Sequence, residues 1–318
     1  MKLWVSFLVW LPLVATVWAD APKTVPLMQA IPLPYQQVSF QRDGVELCRY
    51  HFGSDLRRPF IFPVIGPSGR SLTRMGHPHE PVTHSHHNSI WISHNDVNGL
   101  SFWEDRGKGR IVHEQIESLE DSDAEATLIV LNSWMNETNH RVLLTERRCL
   151  RVRPLPNREW LLLMDVELQA KDSEVTLGKT PFGLVGVRMA KTIGVNDGGG
   201  TIRNSEGGVG ENQIFWKHAR WVDYSGPITA TAIEGVTLLD HPANPNHPAG
   251  FHVRSDGWMG ASLNLDGARV LKLGEPLKLR YGFYVHTGQP GPDALNQQWQ
   301  AFTETSPAPP PVKGKPSR

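Results

Sequence analysis

Hydrophobic alternation constrains this chain more than any other feature. In LKLRYGFYVH, residues 277–286, Leu277, Leu279, Tyr281, Phe283 and Val285 share one face of an extended segment, and His286 falls on the other. Strand-like runs rich in β-branched and aromatic residues recur at 38–52, 126–136, 140–152, 159–170, 182–190, 200–207 and 250–264. Turn signals punctuate them, among them Arg42-Asp43-Gly44, Pro67-Ser68-Gly69, Val97-Asn98-Gly99 and Asp197-Gly198-Gly199-Gly200. No stretch keeps a helical period over three turns, and only NQQWQAFTE, 296–304, reads as a short helix. Many short strands separated by turns predict an all-β protein. With no internal linker or repeat, residues 20–304 are expected to form a single domain, a large two-sheet antiparallel β-sandwich of the supersandwich type.

The ends read differently. Lys2, the apolar run 3–17 broken by Pro12, and Ala19 at a cleavage position make residues 1–19 a secretory signal peptide. The run is shorter than the roughly 20 apolar residues of a membrane span. The expectation is a periplasmic or secreted protein that does not associate with a membrane. Residues 305–318, TSPAPPPVKGKPSR without the last helix, read as a disordered Pro-rich tail. Lys+Arg and Asp+Glu are balanced at 32 each, which leaves no basic footprint for nucleic acid and favours a small molecule or an oligosaccharide as partner. The two cysteines, Cys48 and Cys149, are compatible with one disulfide or with two buried thiols.

Chemistry concentrates in four stretches. In THSHHNSIWISHNDVNGLSFWED, 83–105, four histidines (His84, His86, His87, His94) fall within eleven residues, followed by Asn98 and Trp103, with Trp91 between. If 84–87 is extended, His84 and His86 share a face. Such a pair either begins a metal site, for Zn, Cu or Ca, completed by a distant His241 or His286, or supplies acid–base groups that titrate near neutrality. The second stretch, 240–258, carries His241, Asn244, His247 and His252 on a loop stiffened by three prolines, suited to the rim of a site. The third, 203–226, offers Glu206 and Glu211 beside glycines, with Trp216, Trp221 and Tyr224 as flat rings and Asp223 as a second acid. The fourth runs from Lys179 to Arg188, an arginine placed to orient a carboxylate such as Glu206 or to bind substrate. The chain has no Gly-x-Ser-x-Gly, His-Glu-x-x-His or Cys-x-x-Cys motif.

Taken in order, these stretches resemble the "PmoA family" of uncharacterised exported bacterial proteins. The family pattern Asp-His-Pro-His-His-Arg-Ser-Leu-Trp is similar to residues 83–91, and its Val-Asn-Gly and Phe-Trp to Val97-Asn98-Gly99 and Phe102-Trp103. Further likenesses fall at 179–188, Asn204–Gly207, Ala219–Gly226 and Asp240–Pro245, and Thr83 and Asn88 stand where the family often has Asp and Arg. The label borrows the name of a methane monooxygenase subunit, a helical membrane protein. A strand-rich chain with no spanning segment argues against that activity, so the label reads as a mis-transfer. The resemblance implies a fold like the sandwiches of sugar mutarotases and polysaccharide lyases, and members that accompany sugar breakdown.

Three functions follow. The leading one is an enzyme acting on a sugar or glycoside (epimerase, lyase or glycoside-cleaving). It would use His86 or His84 as acid, Glu206 as base and Arg188 to orient, with substrate held by His87, Trp91, Asn98, Trp103, Lys179, Trp221, Asp223, Tyr224, His241 and Asn244. The second is a metal-dependent enzyme or metal-binding protein ligated by His84, His86, His241 and His286. The third is a non-catalytic carbohydrate-binding module.

Overall fold

The computed structural model describes residues 24–310 apart from 78, 81 and 83, together with Met1. The expected leader beyond Met1, the departure at Thr83 and the tail from 311 onward lie outside the described residues. Two large antiparallel sheets dominate. In one, nine strands follow the order Met28–Leu33, Gln37–Arg42, Val45–His51, Phe60–Val64, Ile90–His94, Gly183–Arg188, Trp258–Ser262, Ala249–Arg254 and Lys217–Ala219. In the other, eight strands follow the order Thr201–Asn204, Trp221–Pro227, Ile233–Asp240, Leu277–Thr287, Trp160–Ala170, Arg141–Pro154, Ala126–Asn136 and Gly109–Glu120. A small ribbon pairs Val175–Leu177 with Arg269–Leu271. The all-β sandwich expected from alternation is the architecture found.

The alternation sorts side chains as the pleat requires. Leu279, Tyr281, Phe283 and Val285 are buried in the main core, and Leu277 packs at its margin. They meet Ile90, Ile92, Val185 and Val187 from the nine-stranded sheet in the same cluster. Burying each such side chain contributes about 1.5–3 kcal/mol relative to exposure. Cys48 lies in the nine-stranded sheet and Cys149 in the eight-stranded one, and both are buried free thiols. Burial pushes the Cys149 thiol up to about 12 and Cys48 well above its ordinary value.

The outward faces of the two sheets differ. The helix Pro292–Thr303, four residues longer at its start than the segment read from sequence, lies on the eight-stranded sheet. Its Leu295 and Phe302 pack with Leu161, Leu163, Trp221, Leu239 and Tyr284. Pro292 starts the helix, where its missing N–H costs nothing. Beyond it, the tail does not begin free at 305. Arg280 Nη1 donates to the Thr305 carbonyl at 2.7 Å and Arg151 Nη2 to the Ser306 carbonyl at 2.7 Å. On the nine-stranded sheet the outward face instead holds a third cluster, Phe60, Trp91, Trp103 and Trp258.

Candidate functional site

Trp103 and Trp258 of that third cluster line a cleft of about 500 Å³, within the size range of small-molecule sites. Trp258 makes the floor, and the fully buried Trp91 supports it from beneath. Trp258 lies over the neighbouring strand because Gly186 has no side chain: a Cβ there would stand 2.5 Å from Trp258 and 3.0 Å from Trp91. The Trp91 and Trp258 rings meet at 5.3 Å, and His87 stacks on both, 5.6 Å from Trp91 and 5.3 Å from Trp258.

The histidine-rich stretch is a turn and not a strand. The His87 N–H donates to the His84 carbonyl at 3.2 Å, so His84 and His86 are not a pair on one strand face. The turn nevertheless gathers all three rings, with centroids at 4.5 Å for His86–His87, 4.9 Å for His84–His87 and 6.0 Å for His84–His86. Arg58, 1% exposed, fixes it. Its guanidinium donates to the His86 carbonyl at 3.2 Å, to Asn88 Oδ1 at 2.7 Å and to the Trp103 carbonyl at 2.7 Å. Asn88, where the family resemblance expects Arg, is thus an acceptor that holds the turn to the cleft wall.

A carboxylate stands beside the imidazoles. Asp256 accepts from Arg188 Nη1 at 2.8 Å and pairs with His77 Nε2 at 3.1 Å, and the His77 ring lies 5.2 Å from that of His84. His84 in turn meets Glu80 at 2.8 Å. Charge and burial divide the protonation states. Burial, reinforced by Arg58, pushes His86 down to about 4. Burial, then Arg188, holds His87 neutral, far below the ordinary imidazole range. Burial and then Arg254 bring His252 to about 4. Burial works to raise Asp256, but the hydrogen bond and charge of Arg188 outweigh it and keep the carboxyl ionised, below its usual range. Neutral rings next to a fixed anion make a site rich in hydrogen-bonding nitrogens, walled by Trp103, Phe182, Phe215 and Trp216.

Of the residues expected from sequence, the cleft therefore brings together His84, His86, His87, Trp103 and Arg188, over Trp91. The others lie elsewhere. Glu206 sits on an exposed turn, accepting from Ser205 at 2.8 Å and 3.8 Å from Arg220, so it does not serve as base in the cleft. Lys179 is exposed on the loop before Gly183–Arg188. Asn98 holds a turn at φ 52° and accepts from the Thr176 N–H. Trp221 is packed under the helix, its indole N–H donating to Asn296 at 2.9 Å. The Tyr224 hydroxyl donates to the Arg254 carbonyl and accepts from the Val195 N–H inside the sandwich. Asp223 is fully buried on the eight-stranded sheet with His286 at 2.8 Å and Arg203 at 2.6 Å.

His241 and Asn244 border a separate groove of about 380 Å³, with Arg280 and Pro307–Pro310. There Asn244 serves structure, its side chain bonded to Asp240 and to the backbone of Arg280. Strand pairing thus separates His241 and His286 from His84 and His86, and the four-histidine metal set is not assembled. Among the described residues no group of three or more His, Cys, Asp or Glu side chains is arranged to hold a metal ion.

Sequence reading missed His77, Asp256, Trp258, Phe182 and Glu104. His77 was within reach, seven residues before His84 in HPHEPVTHSHH. Asp256 and Trp258 flank Gly257 in the turn joining Ala249–Arg254 to Trp258–Ser262, where they read as punctuation between strands.

The fold and cleft define an all-β sandwich protein with a histidine-, arginine- and tryptophan-lined site on one sheet. The chain belongs to a family of unknown function (DUF6807), whose model matches residues 37–300. That description lends no support to the PmoA label. No curated protein sequence matches the chain. Among solved structures, a GalM/aldose epimerase homologue from C. elegans aligns at TM-score 0.34 and 7% identity over 82% of this chain and 99% of that one. A TPR-domain containing protein from Parabacteroides distasonis aligns at TM-score 0.28 and 9% identity over 90% of this chain and 51% of that one, so this chain spans about half its length. Both likenesses are too weak to define an activity. Among the described residues no helix is long and apolar enough to cross a membrane.

Proposed function

We infer that this protein acts on a sugar or glycoside in the cleft on the nine-stranded sheet, with His84 as the acid–base group. The observation that carries the reading is the convergence of aromatic walls with imidazoles and an ionised carboxylate in one cleft. Ring faces stack on the C–H faces of a pyranose, while neutral His86 and His87 suit its hydroxyls as acceptors or donors. His84 is partly exposed and paired with Glu80, an arrangement that orients an imidazole for proton transfer at a sugar carbon or glycosidic oxygen. Asp256 takes the place that Glu206 was expected to fill. Held ionised by Arg188 and His77, it is a weak base, better suited to binding a hydroxyl or stabilising positive charge developing at the anomeric centre. The leader-like N-terminus supports action outside the cytoplasm.

The test is a panel of reducing sugars and glycosides followed by the NMR signals of their anomeric protons. The expected result is conversion of at least one compound, with the rate falling about 100-fold or more in His84→Gln. Full turnover by His84→Gln would remove the assignment. Binding without turnover is the second reading, favoured by the locking of Asp256 between the Arg188 guanidinium and the His77 imidazole. It predicts sugar affinity in the wild type with every anomeric signal unchanged.

A further inference from the structure

Aromatic rings continue outward from the floor of the cleft. Trp258 meets His252 at 6.0 Å, His252 meets Phe215 at 5.2 Å, and Phe215 carries Trp216 stacked at 4.7 Å with 21° between the planes. On the opposite side Phe182 meets His252 at 5.3 Å. Trp258 and His252 are buried, whereas Trp216 is 51% and Phe182 38% exposed. A single exposed ring needs no explanation, but Trp216 has a second peculiarity. Its backbone sits at φ 59°, in the left-handed region that a bulky residue avoids because its Cβ crowds the backbone. The Trp216 N–H, donating to the Phe251 carbonyl at 2.8 Å, pins that conformation. Arg254 braces Phe215 from its ring face at 5.1 Å. Core burial does not account for a strained residue whose indole is half bare. Strain of this kind persists where surrounding structure enforces it, often at ligand clamps.

We propose that Trp216 and Phe182 form an outer subsite that stacks a second sugar ring, so that the ligand is a disaccharide or longer and not a free monosaccharide. This rests on the carbohydrate reading above. The inner subsite lies among His84, His86, His87 and Trp103. Trp216 stands three ring-to-ring contacts away from Trp258, outside the group of rings that makes the inner subsite. Arg254, whose guanidinium lies over Phe215, and Glu104, also on the cleft wall, offer a donor and an acceptor for hydroxyls at a ring edge.

The experiment is isothermal titration of the full chain with methyl monosaccharides and with the matching two- to six-residue oligosaccharides of glucose, mannose, xylose and galactose. The variants are Trp216→Asn, which suits positive φ and removes the ring, and Trp216→Tyr, which keeps a ring; circular dichroism checks that both fold. The expected result is an affinity gain of about tenfold from one ring to two. Trp216→Asn abolishes that gain, so that two-ring affinity falls about tenfold further than monosaccharide affinity does, while Trp216→Tyr retains most of it. Equal wild-type affinity for one ring and two, or equal losses for both ligands in Trp216→Asn, would overturn the outer subsite while leaving the carbohydrate reading intact. No binding by any sugar of either length would overturn both.

Discussion

Two clusters of the same residue types occupy the outward faces of the two sheets. On the eight-stranded sheet, Asp223 is held by Arg203 and His286, and its two oxygens also accept from Thr237 at 3.0 Å and Ser225 at 3.1 Å. On the nine-stranded sheet, Asp256 is held by Arg188 and His77 alone among the described residues, with its side chain 32% exposed against 0% for Asp223. Beside it, four buried nitrogens, Arg188 Nε and Nη2, Trp91 Nε1 and Trp258 Nε1, have no hydrogen-bond partner among the described residues, against Arg203 Nε in the Asp223 cluster. Arginine, histidine and aspartate thus build a closed network in one place and an open one in the other. Access and spare hydrogen-bonding capacity separate a structural cluster from a site, and residue type does not.

The comparison predicts opposite outcomes for matched substitutions. The largest effect is expected from Asp223→Ala, which strands a fully buried imidazole and a half-buried arginine. Stability to urea should fall by about 3–5 kcal/mol, while the protein that remains folded binds sugar as before. A loss of binding without loss of stability would make the closed network functional.

Acid should act next. His86 and His252 take up protons only near 4 in the folded chain, against about 6.5 in the unfolded one. The unfolded chain therefore binds more protons in that window. The stability contributed by keeping these rings neutral is complete above pH 6.5 and is lost as pH falls toward 4, by up to about 1.4 kcal/mol per unit for each ring. Urea midpoints at pH 7, 6 and 5 measure it, and a flat profile would contradict the burial of the open cluster.

Gly186→Ala should cost about 1–3 kcal/mol by overpacking, because its Cβ meets Trp258 at 2.5 Å. Sugar affinity should fall with it as the floor shifts, and titration calorimetry reads that loss. Asp256→Asn should cost about 1–3 kcal/mol, because the fully buried Arg188 keeps a hydrogen-bonding partner but loses its counter-charge, and should lower sugar affinity or turnover about tenfold. An unaltered ligand response would leave the open cluster without a function. The smallest effect belongs to the thiols. Cys48 and Cys149 should react with Ellman's reagent only after unfolding, both then titrating as free thiols.

The fold was legible because burial in a sandwich writes a two-residue period into every long strand, as in Leu277 to Val285. The site was half legible. His84, His86, His87, Trp103 and Arg188 announced themselves through clustering or through a charge in an apolar run. Glu206, Trp221, Tyr224 and Asp223 carry the same chemistry but belong to the other sheet or to a surface turn, and sheet order is not written in local pattern. Trp221 and His286 look like site residues until pairing places them beneath a helix and beside Asp223. Asp256 and His77 failed to stand out for the converse reason. Each is an ordinary turn or loop residue, and only the crossing between Ala249–Arg254, Trp258–Ser262 and Gly183–Arg188 sets them against Arg188.

The carbonyls of Thr305 and Ser306, held by Arg151 and Arg280, bear on how this protein can be handled. Cutting the chain after the last helix, at the apparent domain boundary, would leave two largely buried guanidinium groups without their backbone acceptors. The C-terminal segment through 306 is therefore tied to the eight-stranded sheet by side chains, and any tag or fusion partner belongs beyond it.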